Sequence, residues 1–161
     1  MTFRLDDFLP YQLSVAASEI SRRFAARYAS EAGLSIPEWR VLAHLSHSGA
    51  VSVRDITGRV NLEKSVVSRA ASRLQEAGYV TKVGHGVDRR LIVLELTGEG
   101  EALMARLARL AEEFQAELKA ELGADADAFA RAMRTIVDRP VEDLITHRYM
   151  LDDINEGFAA H

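Results

Sequence analysis

The chain of 161 residues contains no cysteine, which excludes disulfides, thiol redox sensing and cysteine-ligated zinc. It also lacks any apolar run near the ~20 residues needed to span a bilayer. Asp6 and Asp7 stand where a secretory leader would carry positive charge, so the expectation is a cytoplasmic protein without a signal peptide and without a membrane partner. There is no nucleophile motif, no phosphate-binding glycine loop and no pair of carboxylates on a rigid element, which argues against an enzyme. Gly98-Glu99-Gly100 reads as a helix start. No cofactor is expected, and neither an internal repeat nor a low-complexity segment is found.

What is there is an ordinary globular balance, 48% hydrophobic and 27% charged, in a length that suits one domain. The net charge of −4 is unpromising for a nucleic-acid partner until its distribution is read. Residues 51–90 carry Arg54, Arg59, Lys64, Arg69, Arg73, Lys82, Arg89 and Arg90 against Asp55, Glu63, Glu76 and Asp88. That stretch has a surplus of four positive charges, and the rest of the chain a surplus of eight negative ones. A basic module inside an acidic frame suits a polyanion bound on one face.

Periodicity supplies the elements. After a short arm over residues 1–5, Leu9, Leu13, Ala17, Ile20, Phe24 and Tyr28 recur at helical spacing, predicting a helix from Asp6 to about Glu31 that Gly33 ends. Ser35-Ile36-Pro37-Glu38 is a capping box opening a helix to about Ser48, with Trp39, Leu42 and Leu45 inward. Ser52-Val53-Arg54-Asp55 caps a short helix to about Val60, weakened by Gly58. Val60-Asn61-Leu62 forms a turn, and Asn61 can cap the next helix, Glu63 to Ala77. Two β-prone stretches, Tyr79–Val83 and Leu91–Leu96, flank a polar, glycine-bearing tip and predict a hairpin. Thr97 then caps a long helix with the stripe Leu103, Leu107, Leu110, Phe114, Leu118 and Leu122. A last helical region carries Phe129, Met133, Ile136, Val137, Leu144 and Ile145, with Pro140 kinking or splitting it.

The informative unit is helix, turn, helix and hairpin over residues 52–96. On the second helix Val67, Ala70, Ala71 and Leu74 form an inward stripe of small residues suited to close packing. The opposite face presents Ser65, Ser68, Arg69 and Ser72, flanked by Lys64 and Arg73. Arginine bonds guanine edges bidentately, serine bonds bases or phosphates, and Val66 can touch a thymine methyl. A merely solvated helix face has a similar composition, so the helix alone leaves the reading open. The hairpin that follows adds Arg89 and Arg90 at its tip, where guanidinium groups on a narrow ribbon can enter the minor groove. Asp88 is expected to orient an arginine by a charge-assisted bond rather than to face phosphate.

The run Leu62-Glu63-Lys64-Ser65-Val66-Val67-Ser68-Arg69, then Leu74-Gln75-Glu76-Ala77-Gly78-Tyr79-Val80, resembles the recognition helix and strand entry of MarR-family regulators. Asp88-Arg89-Arg90 followed by Leu96-Thr97-Gly98-Glu99-Gly100 is similar to that family's wing signature and the start of its long dimer helix. The resemblance implies a mainly α fold with a small β-hairpin wing, a winged helix-turn-helix lobe over about 35–97, and dimerisation helices over about 6–34 and 98–161. It also implies a homodimer on double-stranded DNA of pseudo-palindromic sequence, a repressor released by a small ligand, with Arg90 in the minor groove and Lys64, Ser65, Ser68 and Arg69 in the major groove. Gly58 and Val66 depart from the usual pattern. Dimerisation also follows from the apolar surface at Leu9, Leu13, Phe129, Met133, Ile136 and Leu144, which a small winged module leaves uncovered.

Family members bind small aromatic or anionic molecules where the dimer helices meet the lobe. Trp39, Arg40 and His44, with Ser18, Arg22 and Tyr28 on the preceding helix, offer an aromatic platform and cations suited to an aromatic carboxylate. Phe8-Leu9-Pro10-Tyr11 and Ile36-Pro37-Glu38-Trp39-Arg40 resemble members linked to aromatic-acid catabolism, some of which recognise acyl-CoA thioesters. The competing reading makes Trp39 core and Arg40 an exposed charge. His44 and His47, three apart on one helix, match a metal pair, but no third ligand lies nearby and no metal is expected. The rival to DNA binding is a winged-helix protein-interaction module.

Overall fold

The computed structural model describes residues 3–84 and 92–138. Asp88, Arg89 and Arg90 of the hairpin tip, with Pro140, Leu144 and Ile145, lie outside the described residues. The chain divides into two compact units at the Gln115/Ala116 boundary.

The first unit begins with a 3-10 turn, Leu5–Asp7, and helix α1, Leu9–Ala32. α1 stops where expected: Gly33 adopts φ +66°, and its amide donates to the Ala29 carbonyl, an ending that a residue without Cβ accepts freely. Helix α2, Ile36–Ser48, opens on a complete capping box. The Glu38 amide donates to Ser35 Oγ, and the Glu38 carboxylate accepts from the Ser35 amide at 2.8 Å. Val51–Ser52 forms a short strand, β1. Helix α3, Val53–Arg59, is capped by Ser52, whose Oγ accepts from the Asp55 amide at 3.1 Å.

Helix α4 spans Lys64–Glu76, and here the expectation for Asn61 is corrected. The N-cap is Glu63, with no side-chain cap bond. Asn61 instead takes φ +51°, the left-handed conformation that asparagine tolerates better than most residues. It makes the turn by its backbone, and its side chain is not the cap.

Strands β2, Val80–Gly84, and β3, Ile92–Leu96, pair antiparallel with Lys82 opposite Leu94. The expected hairpin has a third strand that periodicity missed: β1 pairs with β3, Val51 opposite Leu94, giving the order β1-β3-β2. Helix α5, Gly98–Leu122, starts against the residues that lead into β2. Thr97 Oγ1 donates to the Gly78 carbonyl at 2.6 Å and accepts from the Gly100 amide at 3.1 Å. A Cβ on Gly100 would fall onto the Tyr79 carbonyl oxygen, so this close approach requires glycine.

One apolar core joins these elements, with Phe24 and Tyr28 of α1, Val41, Leu42 and Leu45 of α2, and Ile56 of α3. Val67 and Leu74 of α4, Leu94 of β3, and Leu103, Leu107 and Phe114 of α5 complete it. In the second unit a 3-10 turn, Gly123–Asp125, leads into helix α6, Ala126–Val137, none of whose residues is buried. Among the described residues no helix is long and apolar enough to cross a membrane.

Candidate nucleic-acid interface and effector cavity

The sequence of α4 divides the helix into two faces, and the structure keeps them apart. Val67, Ala70, Ala71 and Leu74 are all buried. Small side chains at two of the four positions let α4 pack closely on its neighbours. Lys64, Ser65, Ser68, Arg69 and Arg73 are exposed, and Val66 is half-buried at the edge. Lys64, Ser65, Ser68 and Arg69, the expected major-groove residues, are thus all open to solvent, and Arg73 lies further round the helix toward α2.

Two contacts fix that face. Lys82 of β2 donates from Nζ to Ser72 Oγ at 3.3 Å, tying the wing strand to α4. Arg73 approaches Glu38 of α2, Nη1 to Oε1 at 3.7 Å. Sequence reasoning placed Arg73 on the DNA side and gave Glu38 only a capping task. Glu38 was legible as a cap because its partner is three residues away. Its second partner lies 35 residues further on, and periodicity carries no such information.

A second feature lies behind the lobe. A cavity of about 150 Å3 is lined by Ile20, Ser21, Phe24, Tyr28, Ile36, Trp39, Arg40 and Phe114. Tyr28 stacks on Trp39 with ring centroids 5.4 Å apart, and Phe24 meets Trp39 edge-on at 5.1 Å. Phe24 and Phe114 stand 5.2 Å apart, and the Arg23 and Arg27 guanidinium groups lie over the Phe114 ring. Burial raises the Tyr28 hydroxyl above its ordinary pKa, partly opposed by the positive charge of Arg40. Arg40 also donates from Nη1 to the Val60 carbonyl at 3.4 Å. One guanidinium thus borders the aromatic cavity and holds the turn that precedes α4.

Of the six residues expected to meet a ligand, Tyr28, Trp39 and Arg40 share this cavity, and Ser18, Arg22 and His44 do not line it. Ser18 is exposed, Arg22 pairs with Glu19 on α1 itself, and His44 sits further along α2. Phe24 and Phe114 were read as core stripe. Phe24 is one turn from Tyr28 and so was within reach of sequence, whereas Phe114 arrives from α5 by tertiary packing. Among the described residues no group of three or more His, Asp or Glu is arranged to hold a metal ion.

Comparison with known proteins follows the same outline. The MarR family model matches residues 32–91, from the end of α1 to just before β3. The curated relatives that match are described as HTH-type transcriptional regulators or repressors. FarR of Neisseria gonorrhoeae is 24% identical over 94 residues, 58% of this chain and 64% of FarR, so the chain spans just under two thirds of that relative. Among solved structures, the MarR family regulator SPO1453 of Silicibacter pomeroyi is 27% identical with a TM-score of 0.73, covering 85% of this chain and 98% of that one. BpsR of Bordetella bronchiseptica, whose DNA binding is regulated by 6-hydroxynicotinic acid, shares the fold at 20% identity with a TM-score of 0.75 over 87% of this chain and all of its own. With the helix-turn-helix, the wing strands and the basic face of α4 in place, the chain is similar over residues 32–91 to the MarR family of winged helix-turn-helix transcriptional regulators, and it shares their fold.

Proposed function

We propose that the chain acts as a homodimeric repressor of a pseudo-palindromic operator, released when an aromatic carboxylate enters the cavity beside Trp39 and Arg40. In this reading the helices over about 6–34 and 98–161 join two copies, and the lobe over about 35–97 reads DNA. Each α4 lies in a major groove with Lys64, Ser65, Val66, Ser68 and Arg69 toward it, and the two half-sites are about 34 Å apart. Arg89 and Arg90 of the wing, oriented by Asp88, take the adjacent minor groove.

The single observation that carries the ligand reading is the double position of Arg40. A cavity of roughly 150 Å3 accepts one benzene ring, and its aromatic walls suit that ring. The guanidinium at its border suits the carboxylate. An anion that draws Arg40 from the Val60 carbonyl loosens the turn that aims α4, so binding and DNA reading draw on the same group. The regulation of BpsR by a hydroxylated aromatic acid supports this ligand class. A CoA thioester presents the same ring with a larger body outside the cavity.

Trp39 fluorescence titrated with 6-hydroxynicotinate, benzoate and benzoyl-CoA tests the site, because Trp39 is the chain's only tryptophan. The expected outcome is quenching by at least one aromatic acid, with weakened mobility shift of operator DNA at the same concentrations. A response to the thioester alone reassigns the ligand to acyl-CoA. No response to any of them removes the effector reading and leaves the DNA interface untouched.

A further inference from the structure

The cleft between α2 and α4, about 190 Å3, is lined by Ser35, Pro37, Glu38, Val66, Arg69 and Arg73 among others. Within it Glu38 has 10% of its side chain exposed, whereas Arg73 has 69%. One oxygen of Glu38 caps α2 through the Ser35 amide at 2.8 Å. The other stands 3.7 Å from the Arg73 guanidinium. A cap requires only an acceptor oxygen, which glutamine supplies equally well. The negative charge is therefore surplus to the cap, and the cation it faces is on the DNA-reading helix.

The position of Arg73 on α4 points the same way. At about 100° per residue, Arg73 lies roughly 110° round the helix from the middle of the face formed by Lys64, Ser65, Ser68 and Arg69. It borders α2, and it sits near the C-terminal end of α4, away from the residues that approach base edges first. A free guanidinium there is long enough to seek phosphate, and phosphate contacts strengthen binding to every sequence alike.

We propose that Glu38 is a specificity-setting residue, holding Arg73 against α2 and cancelling its charge. Arg73 then orients α4 without gripping the DNA backbone. Sequence-independent affinity is kept down, and discrimination falls to Lys64, Ser65, Ser68 and Arg69. This inference rests on DNA binding by α4 and is independent of the effector cavity.

The test uses the full chain and its Glu38→Gln, Arg73→Ala and doubly substituted forms. Two duplexes of equal composition are compared: one bearing a site selected in vitro with the unmodified protein, the other scrambled. Affinity is measured across about 50–200 mM KCl. Each phosphate newly neutralised steepens the slope of log affinity against log salt by about 0.9. Glu38→Gln is expected to steepen the slope by that amount on both duplexes. Relative to the parent it then binds the scrambled duplex about three- to four-fold better at the lowest salt than at the highest. Arg73→Ala alone is expected to leave the slope unchanged, and added to Glu38→Gln it should restore the parent slope. A merely structural role would move thermal stability and leave the salt slope alone.

An unchanged slope in folded Glu38→Gln overturns the proposal. So does a slope flattened by about 0.9 in Arg73→Ala, because it shows Arg73 already on phosphate. Circular dichroism checks that the capping glutamine preserves the helix, and the Arg73→Ala arm decides the matter even if it does not.

Discussion

Helices α4 and α6 are similar in length, 13 and 12 residues, and both set apolar residues on one side. They end in opposite conditions. α4 buries Val67, Ala70, Ala71 and Leu74 against its own chain. α6 buries nothing, and its Met133, Ile136 and Val137 stand open, Val137 at 80%. α1 repeats the contrast within a single helix: Phe24 and Tyr28 are core, while Leu9 is 57% exposed and Val15 is open as well. Amphipathic pattern tells which residues seek cover and says nothing of whether that cover lies in the same chain. The apolar face of α4 is covered within its own chain. The two helical ends carry a surface that a second copy satisfies in the proposed dimer, at about 25 cal/mol per Å2 of apolar area removed from water.

The sharpest way to break this comparison is to place charge on the open faces. Leu9→Asp combined with Ile136→Asp is expected to yield monomers in sedimentation velocity while the lobe keeps its thermal transition. With one half-site engaged at a time, operator affinity should fall by about 10^2 to 10^4, the usual advantage of linking two binding modules. A dimer that survives both substitutions would show that these faces are not the ones that pair.

The counterpart on α4 should fail in the other way. Leu74 is 1% exposed and belongs to the core. Leu74→Ala should destabilise the lobe by about 2–5 kcal/mol, from lost transfer energy and the cavity left behind. Thermal melting measures the loss, and sedimentation at low temperature should still find the dimer. An oligomeric change without loss of stability would reverse the roles assigned to the two helices.

Much of the lobe was legible in sequence, because its signals are local. The Ser35–Glu38 box, the Ser52 cap, the Gly33 stop and the Thr97 cap each involve partners three or four residues apart or a single backbone conformation. The faces of α4 follow from helical periodicity alone. What escaped reading depends on distant segments. Strand β1 has two residues and exists only because Leu94 lies opposite Val51. Asn61 offered the chemistry of a cap and the freedom of a left-handed residue, and the turn used the second. In the cavity, Trp39 and Arg40 were found through their types, whereas Phe114 came in from α5. Ser18, Arg22 and His44 were assembled with them by nearness in sequence, which does not decide which way a side chain points.

The smallest effect expected also separates the lobe from α6, and it comes from His44. Its Nε2 is buried without a hydrogen-bond partner among the described residues. Burial holds the imidazole below its ordinary pKa, and the positive charges of Arg59 and His47 push it the same way. In the unfolded chain His44 titrates near its ordinary value, about 6.5. As pH falls through that value the unfolded state takes up a proton that the folded lobe resists. Stability from the neutral imidazole is therefore full above about pH 6.5, and it declines below that point until the folded lobe is itself protonated. Melting temperature followed from about pH 8 to pH 5 should fall more steeply in the parent than in His44→Asn, whose side chain does not titrate. The difference should appear in the transition of the lobe and persist in the Leu9→Asp, Ile136→Asp monomer, since His44 lies on α2 and depends on no second copy. Parallel curves for parent and variant would mean that His44 finds a partner or solvent in solution, and that acid sensitivity arises elsewhere.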